Sequence, residues 1–197
     1  MSLFSEAAPP KLLNEILAAT ADANFAMASE PVVGSLLRTL AASKPRGRFL
    51  EIGTGTGVGS CWLLDGMDAD SSMITMDKDA AVSAIAQRYL GDDPRIKFVV
   101  GDAEQALREL ESESFDLIFA DSFPGKFYAR DETLRTLKIG GLYVIDDLLP
   151  QPTWNPDHQQ NVDKLIAELD NSPSLRLVKL GYSSGLIVAV KVTGEGS

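Results

Sequence analysis

Carboxylates recur at the downstream ends of five short apolar runs. Glu51 lies in Arg48-Phe49-Leu50-Glu51-Ile52, Asp77 closes Met73-Ile74-Thr75-Met76-Asp77, and Asp102 follows Ile96-Lys97-Phe98-Val99-Val100. Asp121 follows Phe115-Asp116-Leu117-Ile118-Phe119-Ala120, and the pair Asp146-Asp147 follows Gly141-Leu142-Tyr143-Val144-Ile145. Any one such acid is commonly a helix cap or turn residue. Acids at all five ends point instead to a polar rim facing a ligand. The first run continues through Gly53-Thr54-Gly55-Thr56-Gly57-Val58-Gly59, with glycines at alternate positions. A strand that enters a helix through glycines brings bare backbone N–H groups and a helix N-terminus to a ligand, and a Cβ there would block the approach or forbid the turn. The dinucleotide spacing G-x-G-x-x-G fails in every register, since counting from Gly53 ends on Val58 and counting from Gly55 ends on Ser60. Asp77 is placed to accept both ribose hydroxyls of an adenosine, a geometry shared with nicotinamide-cofactor enzymes and therefore not discriminating.

The elements that must position these residues alternate regularly. Strands are expected at 48–52, 73–77, 96–100, 115–120 and 141–146, with helices at 58–65, 80–90, 103–111 and 127–138 between them. Such alternation implies right-handed crossovers and a parallel sheet covered on both faces, and in open parallel sheets ligands bind at the carboxyl ends of the strands. A further helix at 157–170 precedes two strands, 175–180 and 185–191. Their link, Gly181-Tyr182-Ser183-Ser184-Gly185, is too short for a parallel crossover, so this pair must be antiparallel. Upstream, Pro9 and Pro10 open a first helix with Leu12, Leu13, Ile16 and Leu17 at helical spacing. Ser29 is positioned to cap a second, with Pro31 in its first turn and Val32, Val33, Leu36, Leu37 and Leu40 as its stripe. The apolar linker Asn24-Phe25-Ala26-Met27-Ala28 either packs on the core or forms a lid over the ligand.

Composition narrows the class. With 197 residues, 45% hydrophobic and 23% charged, a single globular domain with a full core is expected. No run approaches the roughly 18 apolar residues of a membrane span, and the first residues lack the basic and apolar regions of a signal peptide. The single cysteine, Cys61, permits no internal disulfide and fits a reducing cytoplasm; its place after the glycine loop suits a small buried hydrophobe better than a nucleophile. A net charge of −10 argues against a broad grip on nucleic-acid phosphates. His158 is the only histidine, which excludes a histidine-rich zinc site; its polar surroundings suggest exposure. Trp154 lies on the loop after the fifth strand and either walls an aromatic ligand or anchors the loop.

The pattern E-x-G-x-G-x-G of Glu51, Gly53, Gly55 and Gly57 resembles the first motif of the class I S-adenosylmethionine-dependent methyltransferases. The strand order of five parallel strands and a terminal hairpin is similar to their Rossmann-like seven-stranded α/β sheet with helices on both faces. The resemblance implies a cofactor site of Glu51, Gly53, Thr54, Gly55, Thr56, Gly57, Asp77, Lys78, Gly101, Asp102, Ala103 and Asp121. In it Asp102-Ala103 would hold the adenine, and Glu51 would suit a ligand bearing a sulfonium and an ammonium. It also implies a core at 47–191 with N-terminal helices, 1–46, covering the site.

Asp121 and Asp146-Asp147 resemble the metal-binding acids of the cation-dependent O-methyltransferases, the group of catechol and caffeoyl-CoA O-methyltransferases. By that resemblance Asp121, Asp146 and Asp147 bind Mg²⁺, Asp121 and Lys126 are catalytic, and Lys126 serves as base; a solvated loop lysine is the other reading of Lys126. Hard oxygen ligands suit Mg²⁺, and a bound cation lowers a hydroxyl's pKa. Three positions depart from the family. Lys126 follows Asp121 by five residues where the family has three, so Ser122-Phe123-Pro124-Gly125 reads as an expansion. Asp147 replaces an amide, and Gly59 stands where relatives carry a serine. The implied activity is methylation of an oxygen on a small, catechol-like or otherwise hydroxylated acceptor, in a cytoplasmic protein, commonly a homodimer, that engages neither nucleic acid nor membrane. The alternatives are metal-free N- or C-methylation and a non-catalytic cofactor-binding protein. A nicotinamide-dependent oxidoreductase is disfavoured by the glycine spacing, the Asp102-Ala103 pair and the hairpin.

Overall fold

The computed structural model describes residues 8–150 and 156–193; Trp154 lies outside them. Seven strands form one sheet in the order β3-β2-β1-β4-β5-β7-β6. They are β1 (Arg48–Ile52), β2 (Ser72–Asp77), β3 (Ile96–Val100), β4 (Phe115–Ala120), β5 (Leu137–Ile145), β6 (Leu175–Leu180) and β7 (Leu186–Lys191). The helices are α1 (Leu13–Asp22), α2 (Pro31–Ala42), α3 (Val58–Gly66), α4 (Ala80–Leu90), α5 (Ala103–Glu109), α6 (Arg130–Thr136) and α7 (Pro156–Asp170). The chain divides into two compact units, Met1–Gly47 with Thr54–Gly101, and Arg48–Gly53 with Asp102–Ser197.

In the first unit β2 and β3 run parallel, Met73 opposite Ile96 and Asp77 opposite Val100. Helix α3 is buried from Val58 to Leu64, and only its last turn, at Asp65, reaches solvent. Helix α2 packs on it at Gly34, where a Cβ would lie 2.2 Å from the Trp62 ring, and Leu37 is buried. Of the expected α2 stripe, Val33 and Leu37 are buried, whereas Val32 is exposed. The N-cap of α2 is Glu30, not Ser29, because Pro31 already occupies the first helical position. Helix α1 starts at Leu13, with Leu13 N–H donating to the Pro10 carbonyl, and it buries Leu13, Ile16 and Thr20 while Leu17 stays exposed.

The second unit holds β1, β4 and β5 in parallel and β5, β7 and β6 antiparallel. The hairpin expected from the short link is present, with Leu180 opposite Leu186. One boundary differs from expectation. The helix placed at 127–138 spans only Arg130–Thr136, and the strand placed at 141–146 begins at Leu137. Leu137 pairs with Phe115 before the register shifts, so that Leu117 meets Leu142. The extra residues, Gly140-Gly141 among them, form a bulge that the local periodicity masks, because Leu134 and Leu137 are also at helical spacing. On these strands Phe49, Phe115, Phe119 and Tyr143 are all fully buried.

Candidate active site

Asp121 is the first residue past β4 and Asp146-Asp147 the first two past β5. Strand β4 pairs in parallel with β1, whose carboxyl end leads to Gly53, and Asp121 N–H donates to the Ile52 carbonyl at 2.9 Å. A Cβ on Gly53, at φ +109°, would fall 2.6 Å from the Asp121 carbonyl oxygen, so only glycine lets the two strand ends lie this close. One carboxylate oxygen from each of Asp121, Asp146 and Asp147 lies within 4.8 Å of the others. At that spacing each pair of charged carboxylates repels by roughly 3 kcal/mol at an effective dielectric near 20.

The chain meets this cost in two ways. Asp146 Oδ1 accepts from Asp147 N–H at 2.7 Å and from the Ser184 hydroxyl. Lys126, only 2% exposed, donates from Nζ to the Asp146 carbonyl at 2.8 Å and sits 3.7 Å from Asp147 Oδ2. Compensation is incomplete. Burial first, then the Asp146 charge, hold Asp121 well above the usual carboxylate range, against the pull of Lys126. Burial likewise pushes Asp146 up to about 6, the Ser184 hydroxyl opposing it and the Asp147 charge adding to it. Three carboxylates against one ammonium leave a surplus of negative charge in a set of hard oxygen donors. That donor set fits a divalent cation such as Mg²⁺.

Lys126 is delivered by a turn. Phe127 N–H donates to the Phe123 carbonyl at 2.9 Å and Gly125 N–H to the Tyr128 carbonyl at 2.8 Å. Gly125 takes φ +78°, and its carbonyl accepts from the buried Tyr143 hydroxyl. The expanded segment Ser122–Gly125 therefore makes a compact turn that folds Lys126 inward. The solvated-lysine reading is thereby corrected. Asp147 itself takes φ +64°, a left-handed conformation that aspartate tolerates better than most residues.

In the first unit the glycine loop is tied down by side chains on three sides. Asp77 Oδ2 accepts from Gly55 N–H at 2.8 Å, and its Oδ1 from Asp79 N–H at 2.9 Å. The Thr54 and Thr75 hydroxyls share a 2.6 Å hydrogen bond, and the Thr20 hydroxyl of α1 donates to Thr56 at 2.8 Å. Each Asp77 oxygen keeps a lone pair for a further donor. Gly101 N–H donates to the Asp77 carbonyl at 2.9 Å, and Lys78 is exposed. The Phe25 ring stands 3.3 Å from where a Gly55 Cβ would be. Its neighbour Met27 is 72% exposed, so the linker runs over the loop instead of packing into the core. In the second unit Glu51 is fully buried in β1 and Ala103 is buried, while the exposed Asp102 caps α5 by accepting from Glu104 N–H at 2.9 Å. Cys61 is buried, and burial pushes its thiol up to about 12, which leaves no thiolate for nucleophilic chemistry.

Two residues at the acid cluster were not expected there. Ser184, in the hairpin link, carried no signal that could have placed it. His158 is half-buried, not exposed. Its Nε2 lies 3.3 Å from the Asp147 carbonyl and its ring packs against Phe123 and Phe127. Being the only histidine was its one signal.

The strand order and the terminal hairpin define a methyltransferase-type α/β sheet. The O-methyltransferase family model matches residues 4–192, and the chain belongs to that family. A provisionally assigned O-methyltransferase of Mycolicibacterium vanbaalenii is 34% identical over 123 residues, 60% of this chain and 54% of the relative. The chain thus spans about half the length of such curated relatives. Among solved structures, the O-methyltransferase TomG of Streptomyces achromogenes in complex with SAM superposes with TM-score 0.81 at 21% identity, over 97% of this chain and 93% of that one. The O-methyltransferase of Bacillus cereus in complex with SAH gives TM-score 0.80 at 23% identity, over 96% and 93%. At these identities the two structures establish the fold.

Proposed function

We propose that the protein transfers a methyl group from S-adenosylmethionine to a hydroxyl oxygen of a small acceptor, with a divalent cation held by Asp121, Asp146 and Asp147. The observation that carries this reading is the convergence of three carboxylates with the buried ammonium of Lys126. Relatives in the same family and the SAM and SAH complexes of similar fold support the choice of cofactor. When bound, S-adenosylmethionine supplies an electrophilic methyl group on sulfur, and the cation lowers the pKa of the acceptor hydroxyl.

The chain's own residues do the rest. The glycine-rich backbone of Gly53, Thr54, Gly55, Thr56 and Gly57 would let the cofactor's amino-acid tail approach closely, and Glu51 would favour its positive charge. Asp77 and Lys78 would hold the ribose, Asp102 would accept from the adenine amine, and Gly101 and Ala103 would leave room for the ring. Lys126 takes the hydroxyl proton. To act as base the Lys126 ammonium would first have to give a proton to solvent; the neutral amine then has two N–H groups, one for the Asp146 carbonyl, and a lone pair for the hydroxyl proton. The acceptor oxygen then bonds to the methyl carbon as the carbon–sulfur bond breaks, giving a methyl ether and S-adenosylhomocysteine. Much of the acceleration comes from holding the two partners in line.

The test is a calorimetric Mg²⁺ titration into protein saturated with S-adenosylhomocysteine, beside Asp121→Asn and Asp146→Asn. Saturable binding in the wild type, lost in both variants, is expected, with methylation of a catechol falling at least about a hundredfold in each. A wild type that binds S-adenosylhomocysteine but no Mg²⁺ overturns the metal-assisted reading.

A further inference from the structure

The ring of His158, in the first turn of α7, is wedged against two phenylalanines that flank Lys126. Its centroid lies 6.1 Å from Phe123 and 5.3 Å from Phe127, edge-on to both, and those two rings meet each other at 5.4 Å. The same three-ring cluster touches the lysine, whose Nζ lies 5.9 Å above the Phe127 ring. On its other side, His158 Nε2 is 3.3 Å from the carbonyl oxygen of Asp147. A carbonyl oxygen only accepts, so the Nε2–H tautomer is the one that fits. One side chain therefore touches both the turn that delivers Lys126 and the backbone of Asp147.

Asp147 sits in left-handed backbone at φ +64°, which aspartate tolerates at a modest cost, so contacts that hold it there help to set the direction of its carboxylate. Its neighbours supply part of this, since Leu148 and Leu149 N–H both donate to the Ser184 carbonyl at 2.9 and 2.7 Å. Those bonds restrain the backbone on one side of Asp147; the imidazole restrains its carbonyl and, through the rings, the loop opposite. Edge-to-face aromatic pairs are directional, which suits them to holding a short loop at one angle.

We propose that His158 is a positioning residue for the cation site: its N–H fixes the Asp147 carbonyl while its ring fixes the Lys126 turn, so that carboxylate and amine keep their spacing. The inference rests on the metal-assisted reading above. Three variants separate its two contacts. His158→Ala removes both, His158→Phe keeps the ring and removes the donor, and His158→Gln keeps a donor at similar reach and removes the ring. In the Mg²⁺ titration with S-adenosylhomocysteine bound, His158→Ala is expected to weaken the metal by about tenfold, the usual scale for residues that orient ligands. His158→Gln should recover most of that loss and His158→Phe should not. For the Lys126 turn, kcat should fall in His158→Gln and be partly kept in His158→Phe, with KM for the cofactor unchanged throughout. A His158→Ala protein that binds Mg²⁺ as the wild type does overturns the inference and leaves the metal-assisted reading standing. A wild type that takes no Mg²⁺ removes both, and is read before any variant is made.

Discussion

Asp146 carries the clearest pH signature at the residue level. An ordinary aspartate titrates near 4, whereas burial holds this one at about 6. The folded, metal-free protein therefore binds this proton more tightly than the unfolded chain does. Its contribution to stability is full below pH about 4 and is lost as pH rises through about 6. Metal binding runs the opposite way, because only the ionised carboxylate is a ligand. Mg²⁺ affinity should fall as pH drops through about 6, by roughly tenfold per pH unit for each proton displaced. Calorimetry at a series of pH values reads this directly. A constant affinity down to pH 5 would show that Asp146 is not a ligand. Asp121, raised by burial and by the same neighbour, makes the fall steeper than one carboxylate could.

The loop between β4 and α6 is where element geometry controls the site. Gly125 takes φ +78°, and a Cβ there would lie 2.5 Å from Ile52 Cδ1. Left-handed backbone costs a non-glycine residue about 1–2 kcal/mol before any clash. Gly125→Ala should lower the urea midpoint accordingly and also reduce kcat by more than the unfolded fraction explains, since the same turn carries Lys126. Loss of stability with kcat per folded molecule unchanged would separate the turn from catalysis. This loop also marks the limit of what the sequence discloses. The strands were legible because they are apolar runs ending in acids, and Asp121 and Asp146 were legible because strand ends in a parallel sheet converge. The position of Lys126 was not, because a two-residue expansion leaves open whether a side chain turns in or out. Only the turn hydrogen bonds and Gly125 decide it. Nor could the start of β5 be read, its pairing with Phe115 being a long-range contact across a bulge. His158 meets Asp147, and Ser184 meets Asp146, only through tertiary packing, which periodicity does not encode.

At the scale of the whole molecule, the proposed cofactor groups are shared out along the chain. Thr54 to Gly57, Asp77, Lys78 and Gly101 belong to one compact unit, and Glu51, Gly53, Asp102, Ala103 and Asp121 to the other. Expected from its length and composition to be a single domain, the native chain should be stabilised as a whole by a ligand bound by any of these groups. Binding to the native state alone contributes RT ln(1 + [L]/Kd), about 2.7 kcal/mol at a hundredfold excess over Kd. In a chain of this size that moves the melting temperature by roughly 5–10 °C. Scanning calorimetry with S-adenosylhomocysteine should show one transition, with calorimetric and van't Hoff enthalpies equal, displaced as a whole. Two transitions, of which the cofactor product moves only one, would overturn the single-domain reading and assign the product to the unit that moves. The measurement belongs at physiological ionic strength. A protein with net charge −10 attracts cations over its whole surface at low salt, whereas at 0.15 M the screening length is about 8 Å. Under those conditions a further upward shift on adding Mg²⁺ that Asp146→Asn abolishes comes from direct ligation and not from the overall charge.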